Sequence, residues 1–193
     1  MTDANPMDGD NHTTPEEGIS IEDSARRIDA AMSRLAVLDL DGALAILTEV
    51  EETLRFPREP AARVQWARCL NGLGFIELMD AKQMRATRES GAQDGTEPDY
   101  EFQFGLKRAI ARFEQALASQ TVPKFRSYVE GNKAYVLALL GQTGAAETLL
   151  RRLFKDGGRD FYDGQVRDTE RNPIPEDRAV RRLLDDLWEE TDK

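Results

Sequence analysis

The sequence contains few of the side chains that usually carry out chemistry. Its 193 residues include one cysteine, Cys69, and one histidine, His12. A single cysteine excludes an intramolecular disulfide and is typical of a reducing compartment, so we expect a cytoplasmic protein. His12 stands in an acidic segment without aromatic residues, so no histidine-centred triad is expected in an ordered region. Without an imidazole to activate it, Cys69 is predicted to be a buried packing thiol.

Long apolar runs and clustered basic charge are also missing. No apolar run approaches the roughly 18 to 20 residues that span a bilayer, so no membrane segment is expected. The first 23 residues carry seven acidic side chains and no Lys or Arg, which is not typical of a secretory signal. The remaining residues carry 29 acidic against 26 basic side chains, a net charge of −3. A nearly neutral body lacks the basic face that phosphate binding needs, so nucleic acid is not an expected partner.

The residues that are present predict an all-α fold. Residues 1–19 contain proline, glycine and acidic side chains and little that could be buried, so they are predicted to be a disordered acidic tail. The alternative is a short peptide that docks on a partner or on the protein's own groove. From Ser20 onwards, apolar residues recur at spacings of three and four, which is typical of helices. Two stretches rich in turn-forming residues are predicted to be irregular: an inserted loop at 87–99 and a segment at 157–175. No window alternates between apolar and polar residues as a strand would.

Three triplets of apolar residues share one spacing on the second arms of predicted helical hairpins. They are Ala43-Leu47-Val50, Ala109-Phe113-Ala116 and Ala146-Leu150-Leu153. Together with Leu73-Gly74 in the third helix and Asn132-Lys133-Ala134 in the fifth, they resemble the tetratricopeptide repeat (TPR), a 34-residue helix–turn–helix unit. In that family, a small residue opens the second helix where the two helices cross closely, and a large residue one turn later fills the space between them.

The resemblance implies a right-handed TPR-like solenoid of about three helical hairpins over residues 20–156. Residues 157–193 would then form an irregular loop and a C-terminal capping helix with its apolar stripe at 180–188. The repeats are degenerate, because the first two triplets start 66 residues apart and the last two 37 apart. An irregular helical bundle is the alternative fold. The last helix has an alternative too, namely that it docks on a partner or on a second copy of the chain.

In peptide-binding members of the family, the first helix of each hairpin lines a concave surface. Alignment on Gly74 and Ala134 places six candidate partner-binding residues there: Arg68, Asn71, Phe75, Tyr128, Asn132 and Tyr135. The amides of Asn71 and Asn132 can each pair with a peptide amide, although they also suit an ordinary solvated helix face.

These residues predict a non-catalytic adaptor that binds a protein or peptide partner, with no catalytic residue, metal or cofactor. One alternative is a dedicated bacterial chaperone or immunity-type protein that sequesters a single effector. The other is a helical small-molecule sensor or enzyme with an aromatic pocket. That pocket would use Phe102, Phe104, Tyr128 and Tyr135.

Overall fold

A computed structural model describes residues 20–90, 99–119 and 122–191. These residues form seven helices: α1 Ile21–Ala36, α2 Leu40–Leu54, α3 Pro60–Ser90, α4 Tyr100–Ser119, α5 Pro123–Leu139, α6 Thr143–Glu170 and α7 Asp177–Thr191. No strand occurs within the described ranges, so the prediction of an all-α fold is confirmed. The predicted acidic tail and most of the predicted 87–99 insertion lie outside the described residues.

The first hairpin begins and turns at side chains that cap its helices. The Ser20 hydroxyl accepts a hydrogen bond from the Asp23 amide at 3.1 Å and caps α1. The Asp39 carboxylate accepts one from the Gly42 amide at 3.0 Å at the start of α2. Between the two helices, Leu38 adopts a left-handed conformation with φ of 59°. Three residues therefore suffice to reverse the chain.

The helices pack mainly on their neighbours in sequence. Each helix contacts the next one, α3 and α4 form the most extensive pair, and α1 also packs on α3. All nine side chains of the three apolar triplets are buried, with at most 2% of any one exposed. Cys69 is buried as predicted, and its thiol donates to the Leu47 carbonyl at 3.2 Å. Burial raises the pKa of this thiol to about 12, which fits a packing residue rather than a nucleophile.

The prediction of an irregular segment at 157–175 is corrected for residues 159–170, which are helical, whereas residues 171–175 are irregular as predicted. Helix α6 continues to Glu170 and is broken at Gly158, where φ is 57° and ψ is −150°. The glycines therefore interrupt the helix as expected, but a second helical segment follows them. We call residues 159–176 the C-terminal arm. Its first part, to Glu170, is helical because Tyr162, Gln165 and Thr169 are buried against the rest of the protein, and this packing outweighs a loop-like composition.

Helix α3 is longer than the sequence predicted, and the apolar stripe of α7 lies where it was predicted. Helix α3 extends to Ser90, so residues 87–90 are helical rather than part of a loop. Its last turn is held by Arg88, which pairs with Asp99 at 2.8 Å and with Glu101 at 2.7 Å. On α7, the predicted apolar stripe is buried at Val180, Leu184 and Leu187, and the helix packs on α6 and touches α5.

Candidate functional site

The structure buries four of the six residues that the sequence placed on a partner-binding surface. Asn71 is 3% exposed and Asn132 is 4% exposed, and Phe75 and Tyr135 are buried as well. The Asn132 side-chain nitrogen donates to the Asn71 side-chain oxygen at 3.0 Å. The prediction that both amides are available to a peptide is therefore corrected, because they bond to each other inside the protein.

The other two predicted residues lie at the edge of this region. Arg68 is half-buried and already forms an ion pair with Asp29 of α1. Tyr128 is exposed and lines a small pocket of about 160 Å³ with Met32, Asn71, Phe75 and Arg171. The structure thus brings the predicted residues together on α3 and α5, but it leaves little open surface among them.

The C-terminal arm covers the predicted surface. Phe161 and Gln165 of the arm lie against Gly131 of α5, where a Cβ would come within 2.7 Å and 2.9 Å of their side chains. The Arg171 guanidinium stands over the Phe75 ring at 5.9 Å. Sequence reasoning missed this cover because it treated the arm as an irregular loop outside the repeats.

A buried charged cluster fastens the arm to α3 and α5. The Lys82 side chain is fully buried, and its ammonium group lies 3.0 Å from Asp177. It also donates to the Tyr135 hydroxyl at 2.8 Å and to the Arg171 carbonyl at 2.7 Å. Three acceptors are all that an ammonium group can use, so the cluster is complete as a structural link. Burial lowers the pKa of Lys82, and the charge of Asp177 opposes that shift.

A large groove runs along the opposite face of α3, between α2 and α4. Successive helical residues turn by about 100°, so positions 71, 75 and 82 share one face of α3 and positions 73, 76, 80 and 84 share the other. We call this opening the α2–α4 groove. Its main part has a volume of about 830 Å³, with Leu73, Ile76, Asp80 and Met84 along its floor. A depression of about 550 Å³ extends it towards Phe56 and Trp66, sharing Thr48, Glu51 and Arg112 with the main part.

The groove collects exposed apolar side chains from three helices and a turn. Nine large apolar residues are exposed in the described part of the chain, and five of them line the groove: Leu44, Phe56, Met84, Tyr100 and Phe104. Phe104 is 63% exposed and Tyr100 is 72% exposed. Exposed apolar side chains gathered along one groove are typical of a binding site. The sequence carries a signal for it, because Leu44 and Phe104 fall outside the apolar stripes that are buried on their helices.

Ion pairs neutralise most of the charge around the groove. Arg112 of α4 pairs with Glu51 of α2 across the groove, at the junction of its two parts. Arg108 pairs with Glu77, and Arg88 pairs with Glu101 near the C-terminal end of α3. Asp80 lies on the floor beside these pairs. Partial desolvation, with smaller contributions from the carboxylates of Glu77 and Asp41, raises the pKa of Asp80 against the opposing charge of Arg108.

The aromatic residues of the proposed sensor pocket do not come together. Phe102 and Tyr135 are buried in the core, whereas Phe104 lines the α2–α4 groove and Tyr128 lines the small pocket on the other face. Across the described ranges, no group of three or more His, Cys, Asp or Glu side chains is placed to hold a metal ion.

None of the helices that the structure describes combines the length and the apolar content needed to cross a lipid bilayer. Helix α3, at 31 residues, is the longest of them and carries charged side chains throughout. Comparison with protein-family models, with curated proteins and with solved structures gave no match for this chain.

Proposed function

We propose that the protein is a non-catalytic protein-interaction module that holds a segment of a partner protein in the α2–α4 groove. The observation that carries this proposal is the gathering of five exposed apolar side chains along one groove. A volume of about 830 Å³ is large enough for several side chains of a partner. The proposed contact surface thus lies on the face of α3 opposite to the one that the sequence favoured.

A TPR-like solenoid in the cytoplasm remains part of the proposal. Three observations support the repeat: the order of the helical hairpins, the burial of all three triplets, and the close approach of Phe113 to Gly74. In a stack of hairpins, each unit packs on its neighbours and leaves grooves between the helices of successive units. Helices α2 and α4 would be such a pair, with the groove between them. The buried, unpaired Cys69 fits a reducing compartment.

The test compares capture of partners from a lysate of the source cells by the wild type and by two charge-introducing variants. Phe104→Glu places a charge in the groove, and Val37→Glu places the same charge at a site outside it that is 76% exposed. We expect proteins enriched by the wild type to be retained by Val37→Glu and lost by Phe104→Glu. Circular dichroism checks that both variants remain folded.

The number of captured proteins separates the two kinds of interaction module. One dominant partner, insoluble when produced alone, would indicate a dedicated chaperone or immunity-type protein, whereas several partners would indicate an adaptor. Retention of all partners by Phe104→Glu would contradict the groove as the binding surface. If Arg68→Ala removed them instead, the surface predicted from the sequence would be the site.

A further inference from the structure

We infer that the segment held in the α2–α4 groove is an amphipathic helix that brings a lysine or arginine side chain to Asp80. This inference rests on the function proposed above and adds the chemistry of the partner. It draws on three features of the groove: an acidic group left without an ion pair, apolar contacts on either side of it, and walls that consist only of helices.

Asp80 is the carboxylate that the groove offers to a partner. The other acidic side chains along the main groove, Glu51, Glu77 and Glu101, each pair with an arginine. Asp80 lines the floor and makes no ion pair with any residue in the described ranges. An incoming ammonium or guanidinium group would gain a charge-assisted hydrogen bond there without breaking an existing pair.

Apolar side chains surround this carboxylate at the spacing of a helix. Met84, which is exposed, lies one turn after Asp80 on the floor, and the largely buried Ile76 lies one turn before it. Leu44 of α2 and Phe104 of α4 stand on the two walls, and both are exposed. A partner that fits has apolar residues one turn on either side of its cationic residue, on the same face of a helix.

A helix suits this groove better than an extended peptide. The groove is walled by α2 and α4, and no strand edge in the described ranges is available to pair with an extended backbone. An extended segment would leave its own N–H and C=O groups against apolar side chains, whereas a helix satisfies them internally. From Leu44 to its end at Leu54, α2 spans about 15 Å, which corresponds to nearly three turns of a docked helix.

Charge favours this helix over the acidic N-terminal residues of the chain, which are the most obvious alternative occupant of the groove. The 19 residues that precede Ser20, the cap of α1, carry five acidic and no basic side chains, so they would bring like charge to Asp80. Like-charge contacts across an interface oppose binding, so the basic residue of the partner has to lie at Asp80 and away from Lys107, which also lines the groove. The geometry therefore favours a cationic amphipathic helix from another protein.

Two synthetic peptides test the inference by fluorescence anisotropy. Both are amphipathic helices of about 16 residues with the same leucine stripe, and they differ only in a central Lys or Glu on that stripe. We expect the Lys peptide to bind the wild type at least about tenfold more tightly than the Glu peptide. Asp80→Lys should reverse this preference, whereas Asp156→Lys, the same change at an exposed site outside the groove, should leave it unchanged.

The outcomes distinguish failure of the inference from failure of the proposed function. If Phe104→Glu abolishes binding but Asp80→Lys leaves the ratio of the two affinities unchanged, the inference is wrong and the groove remains the site. If neither peptide binds, or if Phe104→Glu has no effect on either, both proposals fail. If the protein self-associates in sedimentation experiments and Phe104→Glu prevents it, the occupant is a second copy and the inference is overturned.

Discussion

At the scale of single residues, the polar cluster under the C-terminal arm is the least expected feature. Lys82 lies on the same helical face as Phe75 and Leu78, where the sequence pattern calls for an apolar residue. It is tolerated there because Asp177, the Tyr135 hydroxyl and the Arg171 carbonyl surround its ammonium group. Removing one member of such a buried pair leaves the other charge uncompensated, so each residue depends on the rest.

The raised pKa of Asp168, in the arm, predicts that the stability of the protein depends on pH. Burial raises the pKa of its carboxyl from 3.8 to about 6, against the opposing charges of Arg171, Lys82 and Arg167. A pKa raised in the folded state means that the ionised carboxylate destabilises the fold above pH 6, and that this penalty fades as the pH falls towards 3.8. Asp168→Asn should therefore raise the free energy of unfolding at pH 8 by on the order of 2 kcal/mol, with little effect at pH 4.

Urea unfolding followed by circular dichroism at the two pH values measures this difference. Asp160→Asn, which removes an exposed carboxyl of the same arm, is the control and should have little effect at either pH. A gain for Asp168→Asn that is equal at both pH values would contradict an electrostatic origin.

At the scale of elements, the contact between α3 and α4 depends on a glycine. A Cβ at Gly74 would come within 2.6 Å of the Phe113 ring, which is fully buried and has no room to move. We expect Gly74→Ala to lower the free energy of unfolding by about 1 to 3 kcal/mol through overpacking, despite the better helix propensity of alanine. Gly144→Ala in α6, where nothing lies within 4 Å of the new Cβ, should be neutral or stabilise by up to about 1 kcal/mol. Thermal unfolding of both variants measures this, and equal melting temperatures would refute it.

Elements with a one-sided apolar stripe were predictable from the sequence. The face of α2 and the stripe of α7 are buried as their spacing indicates, and so are Ile28 and Leu35 of α1. The arm was not predictable in the same way, because Asp160, Asp163 and Gly164 give it the composition of a loop. Its helix depends on long-range contacts such as those of Phe161 and Gln165 with Gly131, which no local pattern records.

At the scale of the whole molecule, α3 is the central element, and its two faces differ in what lies over them. The face with Asn71, Phe75 and Lys82 is covered by the arm, and the face with Asp80 and Met84 forms the floor of the open groove. Apolar residues occur on both faces of α3, so periodicity alone identifies a central helix without telling which face stays open. That ambiguity explains why sequence reasoning placed the candidate binding residues on the face of α3 that the structure covers.

The two tryptophans lie in different parts of the molecule, one near the groove and one in α7, so their fluorescence can test whether the helices unfold together. Trp66 lines the groove extension near Phe56, and Trp188 of α7 stacks on Tyr162 of the arm with ring centroids 5.2 Å apart. The buried apolar residues form one continuous cluster from α1 to α7, and both tryptophans pack against it. A continuous core favours a single cooperative transition.

We therefore expect the single-tryptophan variants Trp66→Phe and Trp188→Phe each to give a urea midpoint by fluorescence that coincides with the midpoint of the same variant by circular dichroism. Each variant serves as its own control, since the two signals come from one sample. A fluorescence midpoint below the helical midpoint in Trp66→Phe, where Trp188 is the reporter, would mean that the arm and α7 detach first. The Lys82 cluster would then be too weak to hold the arm on α3 until the remaining helices unfold.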